Sequence, residues 1–160
     1  MIKTLLSFVL ALTLFSVAEP SVGQSSDETL LTISHDGVVM EYDLAALEAL
    51  GSVTIETNTI WTDGMQVFKG VPLANLAATL DLTSGAFLAT AINDYTVEIP
   101  VTDAVEGGPI IAYLNNSERM SVREKGPLWI VYPYDSKSEY QSELIYSRSI
   151  WQLDRIQTSN

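Results

Sequence analysis

With one histidine and no cysteine, the chain has little from which to build a nucleophile or a metal centre. Thiol chemistry and thiolate-ligated metals are excluded. A Ser-His-Asp arrangement would have to form around His35, which stands in the expected turn His35-Asp36-Gly37. No His-Glu-x-x-His run or calcium loop occurs, and no spacing among the plentiful acids singles out a catalytic pair. The residue types that do cluster are those of recognition. Aromatic, amide and charged side chains gather in Thr59-Ile60-Trp61-Thr62-Asp63-Gly64, in Asn93-Asp94-Tyr95, and in the segments 125–135 and 146–153. These hold all three tryptophans and four of the seven tyrosines. Brought together at strand ends, they would line an aromatic cleft with carboxylates, amides and guanidinium groups on its rim, the usual make-up of a small-molecule pocket.

Such a cleft needs strands to carry it. Residues 30–34 and 38–42 are β-rich runs joined through Asp36-Gly37, a hairpin signal. Asp43 is placed to cap a short helix over residues 44–50, and Gly51 to end it. Residues 52–57 alternate apolar and polar as a half-buried strand. Pro72 suits a first helical position, followed by Leu73, Leu76, Ala77 and Leu80 at helical spacing. Residues 87–92, 95–99, 110–114, 128–132 and 147–156 read as further strands. The expectation is one α+β domain, β-rich, with two or three short helices. On that reading Trp129 and Trp151 alternate with Ile and Leu as core residues, Asn93-Asp94 is turn chemistry, and Arg148 makes a cross-strand ion pair. Trp61 differs, because it follows its strand and stands among Thr, Asp and Gly.

Charge narrows the partners. The 160 residues carry 20 Asp and Glu against 8 Lys and Arg, a formal net charge of −12, with 47% hydrophobic residues. That composition excludes disorder and argues against nucleic acid, whose phosphates are bound by clustered cations that release counterions. The few cations are uneven. Between Gln24 and Glu118 only Lys69 is basic, whereas Arg119, Arg123, Lys125, Lys137 and Arg148 follow closely. Either these bind something or they are solvated partners of acids such as Glu118 and Glu124. At the start, Met1-Ile2-Lys3 precedes an apolar run over residues 5–18, which reads as a secretory signal peptide. Cleavage fits after Ala18 or after Gly23, and the second is preferred, giving a signal over 1–23 and a mature domain over 24–160. The run falls short of the roughly 20 residues that span a bilayer. Export to the periplasm is expected, with no direct membrane insertion after cleavage.

Three motifs carry a resemblance. Phe68-Lys69-Gly70-Val71-Pro72-Leu73, then residues 91–100 from Ala91-Ile92-Asn93-Asp94-Tyr95, then Gly126-Pro127-Leu128-Trp129-Ile130-Val131-Tyr132-Pro133 resemble the molybdopterin-binding domain of sulfite oxidase-type enzymes. The similarity spans residues 52–157. Within that superfamily, Trp61-Thr62-Asp63-Gly64, Asn93-Asp94-Tyr95 and the segment 147–153 look most like the small periplasmic pterin-binding proteins of the PruR type. One departure separates binder from enzyme. Where the enzymes end a strand in the cysteine that ligates molybdenum, this chain has Thr57, whose hydroxyl is neither soft nor anionic at neutral pH.

The resemblance therefore implies a sulfite oxidase-like fold that keeps a pterin pocket without the metal, binding a reduced pterin with no molybdenum. A pterin shows an amino group and a ring N–H along one edge, which a carboxylate accepts as a pair, and Asp94 or Asp135 is the candidate. Arg148 or Arg123 would donate to the ring carbonyl, Asn93 would read ring amides or a side-chain diol, and the ring would stack on Trp61, Tyr95 or Tyr132. The resemblance further implies signalling through the periplasmic region of a membrane-bound GGDEF/EAL-type sensor that makes and degrades cyclic-di-GMP. The alternatives are a molybdopterin-dependent oxidoreductase and an interaction module that has lost its ligand.

Overall fold

The computed structural model describes residues 28–159. The expected signal peptide lies outside them. Strand β1 (Leu31–His35) and β2 (Val38–Tyr42) form the expected hairpin. Asp36 and Gly37 both adopt positive φ, +48° and +79°, which a two-residue turn matching the strand twist requires. The Asp43 carboxylate accepts the Ala46 N–H at 2.7 Å to cap helix α1 (Leu44–Ala49). β3 (Val53–Asn58) then pairs antiparallel with β4 (Met65–Pro72), which leads directly into α2 (Leu73–Thr79). Pro72 is thus the last strand residue and helix cap rather than the first helical residue. β4 escapes the sequence reading because its alternation is inverted. Met65 is exposed while the polar Gln66 is buried, with its amide donating to the Asp63 carbonyl at 2.8 Å.

β5 (Ala86–Ala91), β6 (Thr96–Pro100), β7 (Ile110–Asn115), the two-residue β8 (Glu118–Arg119) and β9 (Trp129–Val131) follow. Helix α3 (Glu143–Arg148) and β10 (Leu153–Ser159) close the described chain. One sheet has the order β2-β1-β10-β5-β6, in which β1 and β10 are parallel. The other runs β3-β4-β7-β8, with β9 also paired to β7. Both feed a single hydrophobic core that includes Leu31, Ile33, Phe68, Phe87, Ile111, Trp129 and Ile156. The result is a β-rich α+β domain with three short α-helices among the described residues.

The strand expected over 147–156 is corrected. Its first two residues finish α3, because Ile145 and Ser149 face the interior one helical turn apart and the Ser149 hydroxyl donates to the Ile145 carbonyl at 2.8 Å. Residues 149–152 are a link that bonds to both sheets. Ile130 N–H donates to the Ile150 carbonyl, and Ile92 N–H donates to the Gln152 carbonyl. The alternating pattern belongs to this link, but its pairing switches sheets partway. Trp129 is buried as expected, whereas Trp151 is 38% exposed.

Candidate functional site

The β3–β4 loop is the floor of the site. Trp61 N–H donates to the Thr59 hydroxyl at 3.0 Å, and the hydroxyls of Thr59 and Thr62 bond at 2.8 Å, so the loop holds its own shape. The Trp61 ring meets four others edge to face: Trp129 at 5.8 Å, Tyr134 at 6.1 Å, Tyr146 at 5.7 Å and Trp151 at 5.6 Å. Each such contact adds about 0.5–1.5 kcal/mol beyond the area it buries. Polar anchors fix the cluster from beneath. Trp129 Nε1–H donates to the Ser149 carbonyl at 3.2 Å, and the Tyr134 hydroxyl donates to Ser149 Oγ at 2.7 Å.

Above this cluster opens a cleft of about 470 Å³. That volume falls within the roughly 300–1,000 Å³ of small-molecule sites. Its walls come from three places: Trp61 in the β3–β4 loop, Asn93 and Tyr95 in the β5–β6 turn, and the run from Glu143 in α3 to Gln152 in the link. Tyr95, on this wall, is 57% exposed. The turn that carries it is ordered by the Asn93 side-chain oxygen, which accepts the Tyr95 N–H at 3.2 Å, while Asp94 takes a positive φ of 67°.

Of the expected binding residues, Trp61, Asn93 and Tyr95 therefore share one cleft. The others lie elsewhere. The Asp94 carboxylate turns outward to pair with Arg155. Asp135 accepts the Asn58 N–H at 2.6 Å, the Asn58 amide at 3.0 Å and the Thr57 hydroxyl at 3.2 Å. The bonds from Asn58, chiefly its backbone N–H, hold the Asp135 carboxyl below its ordinary pKa, and it lines a separate hollow with Tyr134 and Gln141. Arg148 donates to Asp103 at 2.9 Å and faces a neighbouring hollow beside Val97 and Glu98. Arg123 lies in a more polar cavity of about 390 Å³ with Arg119 and Lys125. The stacking role of Tyr132 is corrected. Its ring is wholly buried and its hydroxyl donates to Asp103 at 2.8 Å, so no face is open to a ligand.

The sequence reading passed over Glu143, which lies outside the segments rich in aromatics and amides. Tyr146, Ser147 and Gln152 were inside one of those segments, but no role was assigned to them. A helix start at Ser142-Glu143, rather than a strand from 147, was the signal that would have placed all four on one wall.

A flat heterocycle suits the aromatic walls and neutral amides of this cleft. Molybdenum does not suit position 57. The Thr57 side chain is fully buried and its hydroxyl is taken up in tying Asp135 to the end of β3, donating to the carboxylate and accepting the Asp135 N–H, each at 3.2 Å. No family model matches the chain, and no curated protein matches it closely enough to count as a relative.

Proposed function

We propose that this is a non-catalytic periplasmic pterin-binding protein with a sulfite oxidase-like fold, taking a reduced, metal-free pterin. The observation that carries the reading is the aromatic cleft itself, which gathers Trp61, Tyr95, Tyr146 and Trp151 around a space of small-molecule size. The motif resemblance names the class of ligand. The commitment of Thr57 to Asp135 supports a metal-free state. By the same resemblance, the pterin-bound protein acts on a membrane-bound sensor of cyclic-di-GMP synthesis and degradation. A ligand drives such a partner only if it alters the affinity between them, so pterin and sensor binding are thermodynamically coupled.

Anaerobic calorimetry of the processed protein with tetrahydropterin tests the proposal. One-to-one saturable binding is expected, weakened about 5- to 150-fold in Tyr95→Ala, in line with the roughly 1–3 kcal/mol of one stacked face. Tyr95 is the better probe because it is exposed, whereas Trp61→Ala also removes the centre of the aromatic cluster. Absence of binding by the folded wild-type protein would overturn the proposal.

A further inference from the structure

Resting on that reading, we infer that Glu143 is the residue by which the cleft selects its ligand, accepting the paired N–H donors along the 2-amino edge of the pterin. Among the described residues, Glu143 is the one charged side chain on the cleft wall. It makes no ion pair with any described residue, while nearby carboxylates are already engaged: Asp94 with Arg155, Asp103 with Arg148 and Tyr132, Asp135 with Asn58 and Thr57. Its backbone is fixed. Glu143 opens α3, where Tyr146 N–H bonds the Ser142 carbonyl at 2.9 Å and Ile145 anchors the helix in the core.

A carboxylate is an acceptor only, with two oxygens spaced to take two parallel N–H bonds. Among the other polar groups on the wall, Asn93 and Gln152 each carry an amide donor and a carbonyl acceptor, so they tolerate either polarity at the ligand edge. Glu143 does not. A ring whose 2-amino group is replaced by an oxo group sets oxygen against oxygen there and takes one of the two paired N–H donors from the carboxylate. The selected ligand is thus a flat heterocycle bearing adjacent amino and ring N–H donors, stacked among the aromatic rings.

The test compares tetrahydropterin with tetrahydrolumazine, the same ring carrying the 2-oxo group, by anaerobic calorimetry on wild type and Glu143→Gln. Wild type is expected to prefer the pterin by about 10- to 100-fold. In Glu143→Gln the preference collapses to within about threefold or reverses, because the amide NH2 can donate to the 2-oxo group. Glu143 is exposed, so the variant is expected to keep the wild-type thermal midpoint. If the variant keeps the full preference, or wild type binds both ligands equally, the inference is overturned while pterin binding stands. If wild type binds neither ligand, the pterin reading fails and this inference fails with it.

Discussion

Tyr132 and Tyr134 bury their phenols beneath the cleft, and both are held un-ionised. Desolvation is the main cause for each, and at Tyr132 the hydrogen bond its hydroxyl donates to the Asp103 carboxylate adds to it, so both phenols titrate far above the ordinary value near 10. Below pH 10 the phenols are protonated in folded and unfolded chains alike, and stability does not depend on them. Above it the unfolded chain loses protons that the folded one keeps, so the free energy of unfolding falls as pH rises. The slope is about 1.4 kcal/mol per pH unit for each phenol. Urea melts at pH 9 and between 10.5 and 11.5 are expected to show it, with the slope roughly halved in Tyr134→Phe. Equal stability at pH 9 and 11 would count against full burial of the pair. The same phenol chemistry explains Arg148. With 19% of its side chain exposed and Asp103 at 16%, the guanidinium neutralises a carboxylate largely removed from solvent, which takes it away from the cleft.

Among the elements, β4 constrains the site most tightly. At the register shift between Lys69 and Gly70, β4 comes so close to β7 that a Cβ on Gly70 would lie 2.2 Å from the Ile111 carbonyl oxygen and 2.6 Å from Ala112 Cα. Both obstacles are backbone, so neither can turn aside. Gly70→Ala is expected to lower stability by about 2–3 kcal/mol in denaturant unfolding, through displacement of the strand. A loss below about 0.5 kcal/mol would show that the strands part easily. The damage would extend to the site, because β4 also carries Phe68, whose ring stands 5.3 Å from Trp129 under the cleft. The link after α3 is the other critical piece. Gln152, at φ +53°, donates its N–H to the Lys125 carbonyl and its side-chain amide to the Val122 carbonyl at 2.8 Å. Lys125 in turn lies over the rings of Trp129 and Trp151, at 5.6 and 5.9 Å, which ties the cationic loop to the cleft wall.

For the whole molecule, the consequence is that the cleft joins the two sheets. Trp61 belongs to a loop of one sheet, Asn93 and Tyr95 to a turn of the other, and the link bonds to both. A ligand seated there is held only by the folded arrangement, so it stabilises the domain by mass action. At about a hundred times its Kd, tetrahydropterin is expected to add about 2.7 kcal/mol and raise Tm by about 10 °C. An unchanged Tm at that ligand concentration would show that the folded domain does not bind it preferentially.

Some of this was readable from local chemistry. The Asp36-Gly37 turn, the Asp43 cap and the core face of α2 depend on neighbours a few residues apart, and such signals survive without tertiary information. So did the grouping of Trp61, Asn93 and Tyr95, because all three stand in strand-end turns, and the Asn93 bond to the Tyr95 N–H is itself local. What the sequence could not settle is where a charged side chain points, since that depends on which partner the fold brings within reach. Asp94, then Asp135, and Arg148 were expected toward a ligand, but Arg155, Asn58 and Asp103 come from distant segments to pair with them. Glu143 gained its place on the cleft by the opposite route, because the fold brought it no partner among the described residues.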